Sequence, residues 1–316
     1  MIPGDKSYYP GTDILVNNFG IRNAELLRKT EYRLVHVREI QARMQPIEGK
    51  FDLDHLQRIH KHLFQDMYAW AGELRTIDFA KRGKETGLVS QFMPAVVLDL
   101  KAQDLAQYIA VRNNLKDLPK QEFVSALTEV HTRLNELHPF REGNGRSTRI
   151  FLVQLAREAG YKLDLTKIDK ERWSLASQRA MQRIDPKNPE AAPIPGDQTD
   201  MRRVFQAAVR PTLAHAFLTE TRDYAAKLYP ELEQAFARVD AIKQFASAVS
   251  NRDVEKLVDL ERSRIAKKLQ DGIIPPLNPY LQGRFAAPAA AQNLVQQLAV
   301  PKNNRNIAKA ARGLRM

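Results

Sequence analysis

The chain has 316 residues, with 49 lysine and arginine residues against 37 aspartate and glutamate residues, and it contains no cysteine. This length is enough for one large or two ordinary domains with a full hydrophobic core, so size excludes no class of enzyme. The absence of cysteine excludes disulfide scaffolds, thiol nucleophiles and cysteine-based metal centres. The formal net charge of +12 favours phosphate-rich partners.

The positive charge is concentrated at the C-terminus. Residues 272–316 contain no acidic residue, whereas their basic residues are Arg284, Lys302, Arg305, Lys309, Arg312 and Arg315. About half of the surplus charge therefore lies in a tail that we predict to be flexible, with nucleic-acid contact as a weaker alternative.

Neither a targeting signal nor a membrane span is visible. The first residues, MIPGDKSYYPGTD, lack the charged and apolar regions of a signal peptide. No stretch approaches the roughly 18 apolar residues that a membrane span requires. We therefore expect a cytoplasmic protein.

Apolar spacing predicts an almost entirely helical chain. The first predicted helix covers residues 23–44, and a second begins at Asp52 or Asp54 and ends at Gly72. The stripe predicted to be buried on the first helix is Leu26, Leu27, Leu34, Val35, Val37 and Ile40. Further helices are predicted within residues 95–113, 119–140, 147–159, 170–183, 200–224 and 230–270.

One segment has the pattern of a β-hairpin. LRTIDFAKRGKETGLVSQF, residues 74–92, alternates from Leu74 to Phe79 and then turns through Arg82, Gly83 and Lys84. The predicted fold class is therefore all-α with one hairpin. We predict a first domain over residues 1–220, a helical extension over 221–271 and the basic tail over 272–316.

A loop that joins two predicted helices carries the chemistry. The helix before it has a buried stripe of Phe123, Leu127, Val130, Leu134 and Leu137, and the loop itself is HPFREGNGRSTR, residues 138–149. Glycines at 143 and 145 let backbone N–H groups converge at the next helix N-terminus, which predicts an anion-binding nest. Arg146 and Arg149 lie three residues apart on one face of that helix, where they can clamp phosphate oxygens.

Two further side chains complete the predicted site. Glu142 is a lone carboxylate beside the nest, which suits Mg²⁺, because this ion takes one or two carboxylates and completes its shell with water and phosphates. His138 is the titratable group of the loop suited to accept a proton near neutral pH. Together these groups predict nucleotidyl or phosphoryl transfer.

Residues 138–149 match the signature of the Fic family, HPFx[DE]GNGRxxR, at every specified position. The upstream segment FDLDHLQRIHKHLFQDMYAWAGELRT also resembles the family's lead into its hairpin. The chain is similar to Fic proteins over about residues 8–215. The resemblance implies a helical bundle with a hairpin flap, and transfer of AMP from Mg-ATP to a Tyr, Thr or Ser hydroxyl of a target protein.

The family's roles carry over residue by residue. His138 would deprotonate the attacking hydroxyl, and Glu142 would hold the Mg²⁺ that bridges the α- and β-phosphates. The nucleotide-binding set implied by the resemblance is Phe140, Gly143, Asn144, Gly145, Arg146 and Arg149. Within it Phe140 anchors the loop in the core, the GNG run forms the anion hole, and Arg149 orients the γ-phosphate.

The resemblance also implies partners. A target segment can pair with the flap by strand addition, and by analogy the target is a type II topoisomerase subunit of DNA gyrase or topoisomerase IV, or a host GTPase if the protein is exported. Many Fic proteins are silenced by a helix with the motif [ST]xxxE[GN], which this sequence lacks: of its glutamates, Glu48 and Glu142 precede Gly or Asn, but Met44 and His138 stand four residues earlier. The chain thus resembles toxins that are controlled by a small antitoxin.

Several alternatives stay open. A related phosphotransferase carries lysine at the second glycine of the GNG run, and Gly145 argues against it. Another alternative is a nucleic-acid-binding or secreted adaptor with a vestigial Fic core. This interpretation depends on the basic tail, since some Fic proteins carried by type IV secretion or conjugation systems end in a basic region. The helical segment 230–270 is an alternative inhibitor.

The remaining histidines and aromatic residues have simpler interpretations. His60 and His62 are two residues apart, so they face different sides of a helix and cannot share a metal. His131 is predicted to be a core-edge histidine, and no zinc site is proposed. Tyr68 and Trp70 are predicted to pack in the core rather than to stack on a nucleobase.

Overall fold

The computed structural model describes residues 7–83, 86–188, 190–249 and 254–276. It divides into two compact units, Met1–Arg210 and Pro211–Met316. The predicted boundary near residue 220 falls later than this division. The difference arises because a short helix, Leu213–Thr219, packs with the helices that follow it. Residues 277–316, most of the predicted basic tail, lie outside the described residues.

Helices dominate the first unit, as predicted. They are α1 (Ala24–Met44), α2 (Leu53–Phe64), α3 (Leu98–Ala110), α4 (Lys120–Leu137), α5 (Asn144–Glu158), α6 (Lys170–Ala180) and α7 (Thr199–Ala208). The strands are β1 (Ala80–Arg82), β2 (Val89–Gln91), β3 (Tyr161–Leu163), β4 (Arg183–Ile184) and β5 (Val209–Pro211). Short 3-10 turns lie at Ala95–Val97, Asn113–Leu115 and Leu165–Lys167.

Side-chain caps fix the starts of the first two helices. Asn23 accepts the Leu26 N–H at 2.9 Å, and Asp52 accepts the His55 N–H at 2.9 Å. Such caps satisfy N–H groups that have no partner inside the helix. The predicted end of α2 at Gly72 is wrong, because the chain leaves the helix after Phe64 and continues in turns, with Gly72 at φ 90°.

The core of this unit is built around α4, which packs against α3, α5, α6 and α7. Every member of its predicted stripe is buried: Phe123, Leu127, Val130, Leu134 and Leu137. The predicted stripe of α1 is only partly correct. Leu27 and Val35 are buried, whereas Leu26, Val37 and Ile40 are exposed. The reason is that α1 packs one face on α2 and α5 and carries further apolar residues on another.

The predicted hairpin is present, but it is shorter than expected and is part of a larger sheet. β1 pairs antiparallel with β2, from Ala80–Gln91 to Arg82–Val89, while residues 74–79 run as irregular chain. The unpredicted β4 pairs antiparallel with β2, and Arg183 also bridges to Ile194. The three-stranded order is therefore β1-β2-β4. Since an isolated hairpin is only marginally stable in water, the third strand supports the flap.

The second unit contains α8 (Leu213–Thr219), α9 (Arg222–Leu228), α10 (Leu232–Val249) and α11 (Val254–Gln270). The helix predicted over residues 200–224 is therefore interrupted, because β5 ends at Pro211 and Thr212 and Thr221 cap new helices. α8 packs with α10 and α11, and Arg238 pairs with the buried Glu261 at 2.5 Å. In the described part of the chain, no helix combines the length and apolar character needed to cross a membrane.

Candidate active site

The joint between α4 and α5 turns through two left-handed residues. His138 ends α4 at φ 43° and ψ 59°, and Gly143 precedes α5 at φ 82°. At Gly143 a Cβ atom would lie 2.4 Å from the Phe64 ring, so the position requires glycine for space as well as for its dihedral. The chain therefore reverses direction within residues 138–143, and Gly145, the second glycine of the motif, lies in the first turn of α5.

Asn144 holds the loop closed from inside. Its Nδ2 donates to the Phe140 carbonyl at 2.7 Å, and its Oδ1 accepts the Phe140 N–H at 2.9 Å. Phe140 itself is fully buried and stacks on His60 with ring centroids 3.9 Å apart. The side chains of Phe140 and Asn144 thus support the loop, and neither side chain is exposed to meet a nucleotide. The burial of Phe140 agrees with its predicted role as an anchor of the loop, and its inclusion in the nucleotide-binding set stays a prediction.

The α5 N-terminus lies where the anion nest is predicted. The first backbone hydrogen bonds of the helix run from Arg146 N and Ser147 N to the Gly143 carbonyl, at 3.1 and 3.0 Å. The N–H groups of Asn144 and Gly145 precede these bonds, at the end of the helix that attracts anions. One carboxylate already approaches this end: Glu142 Oε1 accepts the Gly143 N–H at 2.9 Å.

Glu142 is half exposed, with 51% of its side chain open to solvent. Its Oε1 also lies 3.4 Å from Arg146 Nη2, so it is held by one backbone N–H and one distant guanidinium. Among the described residues, no group of three or more His, Asp or Glu side chains is placed to hold a metal ion. Glu142 is thus a single accessible carboxylate beside a helix N-terminus.

His138 is enclosed by the flap. Its ring stacks on Phe92 at 3.8 Å and meets Phe79 edge-on at 5.7 Å. Its Nδ1 atom is buried and has no hydrogen-bond partner among the described residues. Burial, reinforced by the charges of Lys81 and Arg75, lowers the pKa of His138 to about 3. The imidazole is therefore neutral at physiological pH, so one of its ring nitrogens carries no proton.

Arg75, which the sequence did not single out, joins the flap to the catalytic joint. Its side chain is buried, Nε donates to the His138 carbonyl at 2.8 Å, and Nη2 donates to the carbonyls of Met93 and Leu137. Its own N–H donates to the Pro139 carbonyl at 2.8 Å. The backbone around His138 is thereby tied to the chain on both sides of the hairpin.

His60 was also missed as a contributor. Its Nδ1 accepts the Gly72 N–H at 2.8 Å, so Nε2 carries the proton that it donates to the Glu142 carbonyl at 2.9 Å. Burial lowers the pKa of His60 to about 4, so this tautomer persists at neutral pH. The residue therefore fixes the backbone from which the Glu142 carboxylate projects.

The two motif arginines have acidic neighbours on α1. Arg146 Nη1 lies 2.6 Å from Glu31, and its guanidinium lies over the Phe64 ring at 4.6 Å. Arg149 Nη2 lies 3.9 Å from Glu39, beyond hydrogen-bond distance. The structure thus gathers His138, Glu142, Gly145, Arg146 and Arg149 around one loop. Their roles toward a nucleotide remain predictions.

His131 was predicted to lie at the edge of the core, and the structure places it inside the core at 2% exposure. His131 is buried, contacts Trp173 and Phe205 edge-on, and lies 3.3 Å from the Ser177 hydroxyl. His62 Nε2 lies 3.1 Å from the Arg38 carbonyl, away from the His60 contacts. Trp70 stacks on the buried Tyr68 at 4.4 Å, as expected of packing aromatics.

The two glycines of the GNG run are predicted to respond differently to alanine. Gly143→Ala should lower the free energy of unfolding by about 2–4 kcal/mol, because it combines a ring clash with a left-handed backbone. Gly145→Ala is the matched control. A Cβ atom at position 145 would meet only Arg149 Nη1 at 3.9 Å. The free energy of unfolding should therefore stay within about 1 kcal/mol of that of the unchanged chain. Urea unfolding measures both, and equal losses would contradict this account of the loop.

Comparison with known proteins assigns the architecture. The model of the Fic/DOC family matches residues 50–156, which include α2, the flap hairpin, α4 and the motif. The protein adenylyltransferase VbhT of Bartonella schoenbuchensis is 38% identical over 168 residues, which are 53% of this chain and 34% of VbhT. The chain therefore spans about a third of the length of that relative.

Two further relatives are covered almost completely. The "Probable protein adenylyltransferase Fic" of Escherichia coli is 32% identical over 205 residues, 65% of this chain and 92% of that protein. The ADP-bound N-terminal Fic domain of a VirB-translocated Bep effector from Bartonella quintana superimposes with a TM-score of 0.56 at 33% identity, covering 65% of this chain and 94% of that one. With the motif geometry described above, these matches show that the chain belongs to the Fic/DOC family.

Proposed function

We propose that this protein transfers AMP from ATP to the hydroxyl of a Tyr, Thr or Ser residue in a target protein. The observation that carries the proposal is a neutral, enclosed His138 on the same short loop as a helix N-terminus and an accessible Glu142. The names of the relatives and the ADP bound to the Bartonella quintana domain support the nucleotide and the reaction class.

The transfer uses the site as follows. The target hydroxyl loses its proton to the His138 imidazole while its oxygen forms a bond to the α-phosphorus. The bond from that phosphorus to the bridging oxygen breaks, and pyrophosphate leaves with the electron pair. The α5 N-terminus and Arg146 stabilise the phosphate charge that develops on the transferred group. Arg149 orients the γ-phosphate.

Glu142 fits a role as ligand of Mg²⁺. Its carboxylate is half exposed, and its contacts to the Gly143 N–H and Arg146 are replaceable by phosphate oxygens. Magnesium held there would neutralise charge on the α- and β-phosphates. His60 keeps the Glu142 backbone in place for this purpose.

The target is proposed to dock on the flap by strand addition. β2 is already paired on both sides, by β1 and β4, and no described residue pairs with the outer side of β1. All of β1 is exposed, and it presents Lys81 and Arg82. The target segment would therefore extend along β1, close to His138. We propose type II topoisomerase subunits as targets by family analogy, with a host GTPase as the counterpart for an exported protein.

Transfer chemistry is tested with ATP labelled at either the α or the γ position, incubated with the protein and a cell lysate. Label retained from the α position alone supports AMP transfer. Label from the γ position alone supports the phosphotransferase alternative, and label from neither supports the nucleic-acid-binding or secreted-adaptor alternative. Mass spectrometry then identifies the modified residue, and a target residue inside a stable helix would contradict docking by strand addition.

His138→Ala is predicted to abolish α-label transfer while ADP affinity changes less than about threefold, since the imidazole acts on the hydroxyl and not on the nucleotide. His36→Ala, at an exposed histidine of α1, is the control and should keep wild-type turnover. The low pKa of His138 also predicts the pH dependence of activity. Because the imidazole stays neutral, activity should not decline as the pH is lowered through 6.5, the ordinary pKa of a histidine side chain. A His138→Ala variant with normal turnover would exclude the role as base.

Glu142→Gln should reduce transfer by roughly tenfold to a thousandfold at low Mg²⁺, and added Mg²⁺ should restore part of it, because an amide is a weaker ligand than a carboxylate. The readout is the initial rate across a magnesium titration. Glu48→Gln, at an exposed glutamate outside the motif, should leave the titration unchanged. Wild-type activity that persists in chelator would show that the metal assignment is mistaken.

Control by a separate antitoxin that carries [ST]xxxE[GN] is proposed for the same site. Glu39, the α1 carboxylate near Arg149, is followed by Ile40 and does not carry this motif, and its 3.9 Å separation leaves Arg149 open to a stronger partner. The purified chain should therefore be active alone and arrest growth when expressed alone. Truncation after Glu220 should change the rate little, whereas a sharp rise would identify the C-terminal region as the inhibitor. Translocation into another cell stays a prediction.

A further inference from the structure

The Arg146 guanidinium is held by a carboxylate that no part of the motif contains. Glu31 lies on α1, 115 residues earlier in the chain, and its Oε1 is 2.6 Å from Arg146 Nη1. Only 14% of the Glu31 side chain is exposed, and 22% of the Arg146 side chain. The ion pair is therefore largely shielded from water, where charge-assisted hydrogen bonds are stronger than on an open surface.

Glu31 is itself fixed by a third residue. Its second carboxylate oxygen, Oε2, accepts a hydrogen bond from the Tyr68 hydroxyl. Tyr68 is 1% exposed and stacks on Trp70, so its ring has little freedom to move. Burial, followed by the nearby Glu31 charge, raises the pKa of Tyr68 above its ordinary value. The phenol consequently keeps its proton and remains a donor at neutral pH.

The two oxygens of Glu31 thus have separate tasks, one binding the buried tyrosine and the other binding Arg146. Phe64 adds a ring face beneath the same guanidinium, 4.6 Å from its central carbon. An arginine side chain without such contacts loses rotamer entropy when a ligand orders it. Here that ordering is already present before any nucleotide binds.

We propose that Glu31, held by Tyr68, is a positioning residue that orients Arg146 toward the nucleotide phosphates. The inference rests on the proposed function, because it assigns Arg146 to phosphate stabilisation. Nη1 is committed to Glu31, while Nη2 faces Glu142 at 3.4 Å and so points toward the nest side of the loop. The orientation leaves Nη2 directed at the place where the developing phosphate charge is expected.

The test compares Glu31→Gln with Glu25→Gln, a matched change on the same helix at an exposed residue that pairs with Lys29. Glu31→Gln should lower kcat by roughly tenfold to a hundredfold and leave KM for ATP within about threefold, since Arg146 keeps its charge but loses its fixed orientation. Glu25→Gln should match the unchanged chain. Tyr68→Phe should lower kcat less, and combining it with Glu31→Gln should add little, because both act through one carboxylate.

Two further measurements separate positioning from folding and from failure of the proposed function. The stoichiometry of ADP binding in calorimetry should stay unchanged in Glu31→Gln, which shows that the folded fraction is unaltered. The NMR signals of the Arg146 guanidinium should report slow rotation in the unchanged chain and averaging in Glu31→Gln. If no variant transfers AMP, the proposed function fails, and the NMR comparison still decides whether Glu31 orders Arg146.

Several outcomes would overturn the inference. An unchanged kcat in Glu31→Gln would show that the ion pair does not serve the reaction. A kcat that rises would show that Glu31 restrains Arg146 instead of orienting it. If the ADP stoichiometry of Glu31→Gln falls enough to account for the whole loss of rate, the role of Glu31 is structural only. The same conclusion follows if the Arg146 signals are identical in Glu31→Gln and in the unchanged chain.

Discussion

Arg75 donates hydrogen bonds to carbonyls from separate segments of the chain, at the end of α4 and on either side of the flap hairpin. Removing a guanidinium from water is costly unless its donors are satisfied, and burial accordingly lowers the pKa of this arginine. The carbonyl dipoles compensate for that cost only when all the segments are in place. The flap and His138 therefore assume their relative positions together, and the enclosure that keeps the imidazole neutral follows from this contact.

The loop of the site was predictable because its geometry is local. Residues 138–149 contain the helix end, the left-handed glycine, the asparagine that bonds to Phe140 and the start of the next helix, so their pattern determines most of the joint. The supporting residues were not predictable in the same way. His60 lies 82 residues from Glu142, and Arg75 lies 63 residues from His138. Such contacts arise from tertiary packing, and a single sequence carries no periodic signal for them.

Helical periodicity had a comparable limit. Every residue of the predicted α4 stripe is buried because that helix is central, but the burial extends beyond the stripe to Val124, Ala126, Thr128, His131 and Thr132. On α1 the apolar residues occupy more than one face, and the spacing alone does not say which face packs on α2 and α5. The two-residue strand β4 was missed for another reason: alternation needs more residues than it contains.

The left-handed conformation of His138 has a consequence for how such a site persists. At φ 43° His138 lies in the left-handed region of backbone conformation, which residues with a Cβ atom rarely adopt and which glycine and asparagine adopt more often. Stacking on Phe92 offsets part of this strain, but nothing in the backbone requires an imidazole. Replacing this histidine should therefore cost little free energy of unfolding, so selection on activity is what retains it. We therefore expect this arrangement to give rise to descendants that keep the fold but have lost the catalytic activity.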